Sequence, residues 1–266
     1  MMSRPTPARV FAEKVKNRLS LSLLRLTLKV KARSRKPLIL DYGWIKLPYS
    51  DDGDIQELYY HAHHREYYRN DMPVISQYVK PGDCVIDVGA NVGFVTTMLA
   101  SLVGDHGKVY SFEPSAGTYG KLLRTIEANG LGMVEPVNSG LGEQDVTREL
   151  YRATGSSGND TLIKASDGQV SLGQVKITSL DAYLAQNTQP VSFIKIDTEG
   201  YESQVLRGAT ETLKKPRPVI YIELCSDYME SSLEAVALLR DLDYRLPEGL
   251  DLNAKGNGSN FVALPA

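Results

Sequence analysis

Two apolar runs, each closing on an acid and separated by a glycine loop, constrain the fold of this chain more than any other feature. The first is Cys84-Val85-Ile86-Asp87-Val88-Gly89-Ala90-Asn91-Val92-Gly93. The second, which starts twenty residues after Gly89, is Val109-Tyr110-Ser111-Phe112-Glu113-Pro114. The pattern predicts a strand, a nucleoside-binding turn, a helix, and a second strand whose tip holds a ribose. A dinucleotide needs a tight G-x-G-x-x-G, because the backbone must approach a pyrophosphate at a helix N-terminus. Here Gly89 and Gly93 flank Ala90, Asn91 and Val92, and no Lys-Ser or Lys-Thr follows as a triphosphate loop requires. The D-x-G-x-x-x-G spacing suits a ligand with ribose and adenine but no phosphate. Two glycines let the backbone come close, and an ionised Glu113 can accept both ribose hydroxyls. These residues point to S-adenosylmethionine.

At 266 residues the chain has room for one large α/β domain and a small appendage. Its two cysteines, Cys84 and Cys225, fall in or beside predicted buried strands and read as packed thiols in a reducing compartment. No Cys/His spacing suits a structural zinc. The net charge of -2 hides an asymmetry: residues 1–36 carry eleven Lys and Arg against Glu13 alone, or +10, which leaves -12 on the rest. Leu19, Leu21, Leu23, Leu24, Leu26, Leu28 and Val30 form an apolar stripe within this arm, interrupted by Arg25 and Lys29. The stripe is too short and too charged to span a bilayer, and it lacks the uninterrupted apolar core and cleavage site of a secretory signal. A basic amphipathic segment can lie on an anionic membrane surface, and it can equally pack on the catalytic domain with a solvated basic face. Nucleic acid is not expected as a partner, because the arm lacks stacking aromatics. The expected location is cytoplasmic, with peripheral contact at the inner face of the membrane through residues 1–36.

Pro37 and Pro48 bracket a predicted strand pair, and residues 54–69 follow with helical spacing, four tyrosines, and His61, His63 and His64. This 37–79 segment is the expected cap and candidate substrate wall. From residue 80 onward strand and helix patterns alternate, the signature of a parallel sheet with crossovers. Strands are expected at 84–88, 108–112, 133–138, 193–197 and 219–224. Helices are expected at 93–102, 115–129, 201–213 and 231–240. The Gly/Ser-rich 155–160 region, between alternating runs at 147–153 and 173–178, reads as an inserted strand pair or loop. Two short strands near 244–246 and 260–264 complete the pattern.

In such sheets ligands bind at the carboxyl ends of the strands. Asp87, Glu113, Asp197 and Glu223 all fall there. Methyl transfer from a sulfonium to an alcohol goes faster if the hydroxyl loses its proton as it attacks, and a carboxylate or a metal-bound alkoxide can achieve that. Asp197 is the expected base, with Glu199 orienting it or contacting substrate, and His64 or its neighbours as the alternative. Helix capping is the bland reading of the same acids. No clear motif supports a divalent metal.

The motifs Asp87-Val88-Gly89-Ala90-Asn91-Val92-Gly93, Phe112-Glu113-Pro114, Ile177-Thr178-Ser179-Leu180-Asp181-Ala182-Tyr183, and Ile194-Lys195-Ile196-Asp197-Thr198-Glu199-Gly200-Tyr201-Glu202 with Leu206-Arg207-Gly208-Ala209 occur in order between about 80 and 225. They resemble the FkbM family of S-adenosylmethionine-dependent methyltransferases. The resemblance implies a Rossmann-like class I methyltransferase fold, a mainly parallel seven-stranded sheet with helices on both faces, over 80–266. It implies O-methylation, often of a sugar hydroxyl in a glycan or of a natural product. Asp87, Gly89, Ala90, Asn91, Gly93, Glu113 and Pro114 carry over as cofactor contacts, and Asn138 and Ser139 as neighbours of the adenine. Two rival readings are an NAD-dependent oxidoreductase or epimerase, disfavoured by the glycine spacing, and a membrane-surface binding protein with a degenerate nucleoside site.

Overall fold

The structure is a computed structural model that describes residues 38–41, 45–49, 71–152, 157–164, 168–185, 189–248, 250, 252 and 259–266. The chain divides into two compact units, Met1–Glu66 and Tyr67–Ala266. In the first, β1 (Leu38–Asp41) and β2 (Lys46–Tyr49) form an antiparallel ribbon with Ile39 opposite Pro48. Pro48 therefore lies inside a strand rather than bracketing one. Each strand of a two-stranded ribbon keeps an unpaired edge, which tolerates a missing N–H. The basic arm and the aromatic and histidine segment, His64 included, lie outside the described residues.

The second unit runs α1 (Asp71–Ile75), β3 (Cys84–Val88), α2 (Phe94–Val103), β4 (Lys108–Phe112), α3 (Ala116–Asn129) and β5 (Val134–Val137). An insertion follows: β6 (Gly140–Leu141), β7 (Val146–Arg152), β8 (Asp160–Thr161) and β9 (Val170–Thr178). Then come α4 (Leu180–Tyr183), β10 (Val191–Ile196), α5 (Glu202–Arg207), α6 (Thr210–Lys214), β11 (Val219–Leu224), α7 (Met229–Asp241), β12 (Tyr244–Arg245) and β13 (Ser259–Pro265). Seven strands form one sheet in the order β12-β13-β11-β10-β3-β4-β5. The run from β11 to β5 is parallel, and β13 pairs antiparallel with both β11 and β12. The strand order reverses between β3 and β10, where an open α/β sheet leaves a crevice.

Two expectations need correction. The insertion is a four-stranded sheet, β6-β9-β7-β8, rather than a strand pair or loop. The expected helix over 201–213 is two helices, α5 and α6. They break at Gly208, whose Cα lies so close to the Gly142 carbonyl that a Cβ would overlap it. Asp181 from α4 then starts α6 by accepting from Glu211 N (2.8 Å), Thr212 N (2.9 Å) and Thr212 Oγ1 (2.7 Å).

Alternation along the central strands sends side chains to two cores. Ile86, Val88, Ile194, Ile196, Ile220 and Ile222 pack with Leu206, Leu213, Ala235 and Leu239 from α5, α6 and α7. Val85, Val109, Phe193 and Tyr221 pack on the other face with Ile75 from α1 and Leu99, Ala100 and Val103 from α2. Helices thus cover both faces. The α1/α2 face changes character along the strands. Its first cross-strand row, Val219–Phe193–Val85–Val109, is wholly apolar. The next row, Tyr221–Lys195–Asp87–Ser111, is polar. Carried two residues further, the same register gives Glu223, Asp197, Gly89 and Glu113. The core becomes a site within three rows.

Candidate active site

The glycine loop sits where β3 ends. Gly89 N and Ala90 N donate to the Phe112 carbonyl (3.1 and 2.9 Å), which stitches the loop to β4. Gly89 has φ +76°, and a Cβ there would overlap the Asp197 carbonyl oxygen. Only glycine permits that approach. Gly93 (φ +92°) turns the chain into α2, against Leu122 of α3, and Asn91 lies between them at φ +49°. Asn91 N donates to Glu113 Oε2 (3.0 Å) and Ser115 N to Glu113 Oε1 (2.9 Å), so Glu113 is fixed by the loop that it faces. Burial pushes the Glu113 carboxyl up to about 7 against the pull of these two donors. Asn138 Nδ2 donates to the carbonyls of Glu113 (2.9 Å) and Pro114 (3.2 Å) and ties the tip of β4 to the turn after β5. The Ser139 hydroxyl is turned away from this tip, bonded to the Lys176 and Gly140 carbonyls at 3.0 and 2.9 Å.

Asp87 is placed differently from the other loop residues. It is completely buried, with Oδ2 accepting from Thr96 Oγ1 (2.6 Å) and Oδ1 lacking a hydrogen bond among the described residues. Thr96 in turn contacts Ser111 Oγ at 3.1 Å. Asp87 therefore supports the loop from beneath. Its charge is answered by Lys195, whose Nζ lies 3.7 Å from Asp87 Oδ1, 3.1 Å from Asp197 Oδ2 and 3.3 Å from the Gly89 carbonyl. Burial favours the neutral form of Lys195, yet Asp197 and Asp87 together outweigh it and raise the pKa above the ordinary value. In sequence Lys195 stands out only as part of the Ile194–Glu202 motif. Its place between two carboxylates and the loop carbonyl makes it the centre of the site's electrostatics.

The segment after β10 is held by its own side chains. Asp197 N donates to the Val88 carbonyl at 3.2 Å. Glu202 Oε1 accepts from Thr198 N (3.1 Å), Thr198 Oγ1 (2.9 Å) and Gly200 N (3.1 Å) and so caps the start of α5. Thr161 Oγ1, from the inserted sheet, donates to the Glu199 carbonyl at 2.6 Å. Glu199 is held at φ +54°, a region that a non-glycine residue enters at a cost. Its carboxylate accepts no hydrogen bond among the described residues. Burial, then the charges of Asp197 and Glu202, push it up to about 8. Tyr221 OH donates to Asp71 Oδ1 (2.6 Å) and closes the polar row on the α1 side. Among the described residues no group of three His, Cys, Asp or Glu side chains is arranged to hold a metal ion.

The residues fit an S-adenosylmethionine-like ligand. Carboxylates face the loop, and no Lys or Arg stands in it to meet phosphate. The matching family model is the methyltransferase FkbM domain, over residues 87–246. The chain belongs to the FkbM methyltransferase family. Two curated relatives of this FkbM chain are "Methyltransferase 1" of Beauveria bassiana and "Hexuronic acid methyltransferase AglP" of Haloferax volcanii. The first is 26% identical over 160 residues, 53% of this chain and 64% of the relative. The second is 27% identical over 141 residues, 52% of this chain and 54% of the relative. The FkbM chain thus spans less than two thirds of the length of either. A Clostridium thermocellum structure, whose name assigns it provisionally to the rRNA methylases, aligns with TM-score 0.50 at 14% identity, covering 74% of this chain and 93% of the other. That likeness bears on the fold, which is of the class I methyltransferase type.

Proposed function

We propose that this FkbM domain transfers a methyl group from S-adenosylmethionine to a hydroxyl of a sugar or glycan. The observation that carries the reading is the Glu199 carboxylate. It stands two residues beyond the Asp197 backbone that touches the glycine loop, without a hydrogen-bond donor among the described residues. Bound S-adenosylmethionine supplies an electrophilic methyl on a positive sulfur. Glu113 would accept from the ribose hydroxyls, while Gly89 to Gly93 give the backbone its close approach and Asn138 holds the tip of β4. Asp197, the base expected from sequence, has its Oδ2 ion-paired to Lys195 at 3.1 Å. Glu199, held up to about 8 by burial, is the better acceptor for an alcohol proton, because its pKa lies near working pH. A hydroxyl both donates and accepts, and so does a rim that mixes ionised and protonated carboxyl groups, so the acidic rim matches a polyhydroxylated acceptor. The hexuronic acid methyltransferase among the relatives supports a sugar substrate.

The test is formation of S-adenosylhomocysteine with a panel of neutral hexosides and hexuronosides. Turnover with one of them, lost by a factor of roughly 100 or more in Glu199→Gln while the fold is retained, is expected. Turnover only with amine acceptors, or unchanged in Glu199→Gln, would overturn the reading.

A further inference from the structure

We propose that Glu223 on β11 holds a proton against the neighbouring Asp197, which follows β10, and releases it to solvent when S-adenosylmethionine brings its positive sulfur to the site. The inference rests on the cofactor assignment above and adds a positioning residue that neither the motifs nor the family match singles out.

Register brings the pair together. Ile196 lies opposite Ile222 in parallel strands, so the next cross-strand pair is Asp197 and Glu223, on the face that carries Lys195 and Tyr221. Supply of positive charge then limits them. Lys195 is already divided between Asp197 Oδ2, Asp87 Oδ1 and the Gly89 carbonyl, and among the described residues Asp87 Oδ1 receives no hydrogen bond from elsewhere. One ammonium is therefore shared by two carboxylates and a backbone carbonyl, and Glu223 adds a third carboxyl group to the same two rows. Two neighbouring carboxylates cannot both ionise cheaply. Lys195 is engaged by Asp197 and Asp87, so Glu223 keeps its proton and donates it toward Asp197. The charge of Asp197, then burial and the charge of Glu199, push Glu223 up to about 9.

Among the described residues, the charged and titratable groups that face Glu223 are Lys195 of β10, Asp197 and Glu199 of the segment after it, and Cys225 of the turn after β11. Lys195 is the cation of this group, so an incoming positive charge has a large effect. The backbone of Asp197 touches the glycine loop at Gly89, which puts the pair next to the ligand cradle. A cation there favours the doubly ionised pair, and the proton departs to solvent. S-adenosylhomocysteine has the same nucleoside and amino acid but a neutral sulfur, so it should leave the proton in place.

Calorimetric titration of the full chain at pH 8, in two buffers of different ionisation enthalpy, counts the protons released by each ligand. Wild type is expected to release about half a proton more with S-adenosylmethionine than with S-adenosylhomocysteine. Glu223→Gln and Asp197→Asn should both lose that difference, while Glu223→Gln, an isostere of the protonated acid, still binds both ligands. Equal counts in wild type would overturn this inference alone. So would a difference that Glu223→Gln keeps, or that only Glu199→Gln removes. Binding of neither ligand would overturn the cofactor assignment, and the inference with it.

Discussion

Glu113 shows how one side chain can be both scaffold and ligand. Both of its oxygens accept backbone N–H groups, from Asn91 in the loop and Ser115 at the start of α3, so the carboxylate is aimed before any ribose arrives. Glu113→Gln keeps the shape but removes the charge and forces an amide NH2 toward one of those donors. Affinity for S-adenosylmethionine should fall by about 2 kcal/mol, roughly thirtyfold in Kd, the scale of a charge-assisted hydrogen bond. Titration calorimetry checks this, and an unchanged Kd would mean that the ribose is held elsewhere. Glu113 was legible in sequence because an acid at a strand tip, twenty residues past a glycine loop, has few other uses. The burial of Asp87 was not, since nothing local tells a carboxylate beneath a loop from one facing a ligand. Only Lys195 on the neighbouring strand and Thr96 on α2 decide it.

At the scale of elements, the strands followed from their apolar runs almost to the residue. The errors arose where a distant part of the chain intervened. β6 and β8 have two residues each, too few for any periodicity to show. The helix break at Gly208 is imposed by the Gly142 carbonyl, more than sixty residues away. The central strands share a spacing of apolar, any, polar, apolar, acid or glycine. Val85-Ile86-Asp87-Val88-Gly89, Val109-Tyr110-Ser111-Phe112-Glu113, Phe193-Ile194-Lys195-Ile196-Asp197 and Val219-Ile220-Tyr221-Ile222-Glu223 all carry it. Read on alternate residues, it foretells the rows that turn from core to site. Two alanines separate the cost of a left-handed backbone from that of the close approach in the loop. Gly82→Ala places a Cβ in open space at φ +87° and should cost roughly 1–2 kcal/mol, the left-handed penalty alone. Gly89→Ala adds an overlap with the Asp197 backbone and should cost roughly 3 kcal/mol or more in urea unfolding. Equal losses would show that β10 yields freely to the loop.

For the whole molecule, the pH dependence of stability has a definite sign. Glu113, Glu199 and Glu223 are pushed up to about 7, 8 and 9 from an ordinary value of 4.5. Each binds its proton more tightly folded than unfolded, so the folded chain holds the extra protons between these values and loses stability as pH rises through them. Lys195 stays charged in both states across that window. The ligand-free melting temperature should therefore fall from pH 6 to pH 9, and Glu223→Gln should flatten the upper part of the slope. A flat or rising profile in wild type would contradict the burial of these carboxyls. The basic arm calls for a separate measurement. Co-sedimentation with phosphatidylserine vesicles, with and without residues 1–36, should show binding that the truncation abolishes and salt weakens. Retention of binding by the truncated chain would place the membrane contact elsewhere.

The position of β13 has a consequence for how the molecule is made. Residues 259–265 are threaded between β11 and β12 as an interior strand of the large sheet. A ribosome that has released everything up to α7 has produced the cofactor cradle but left the flank of β11 bare, its N–H and C=O groups open to any passing strand. Closure waits for residue 265 to clear the exit tunnel. A nascent chain stalled or clipped before residue 259 should be the form that chaperones hold and that precipitates, even though every residue assigned to the site is already in it.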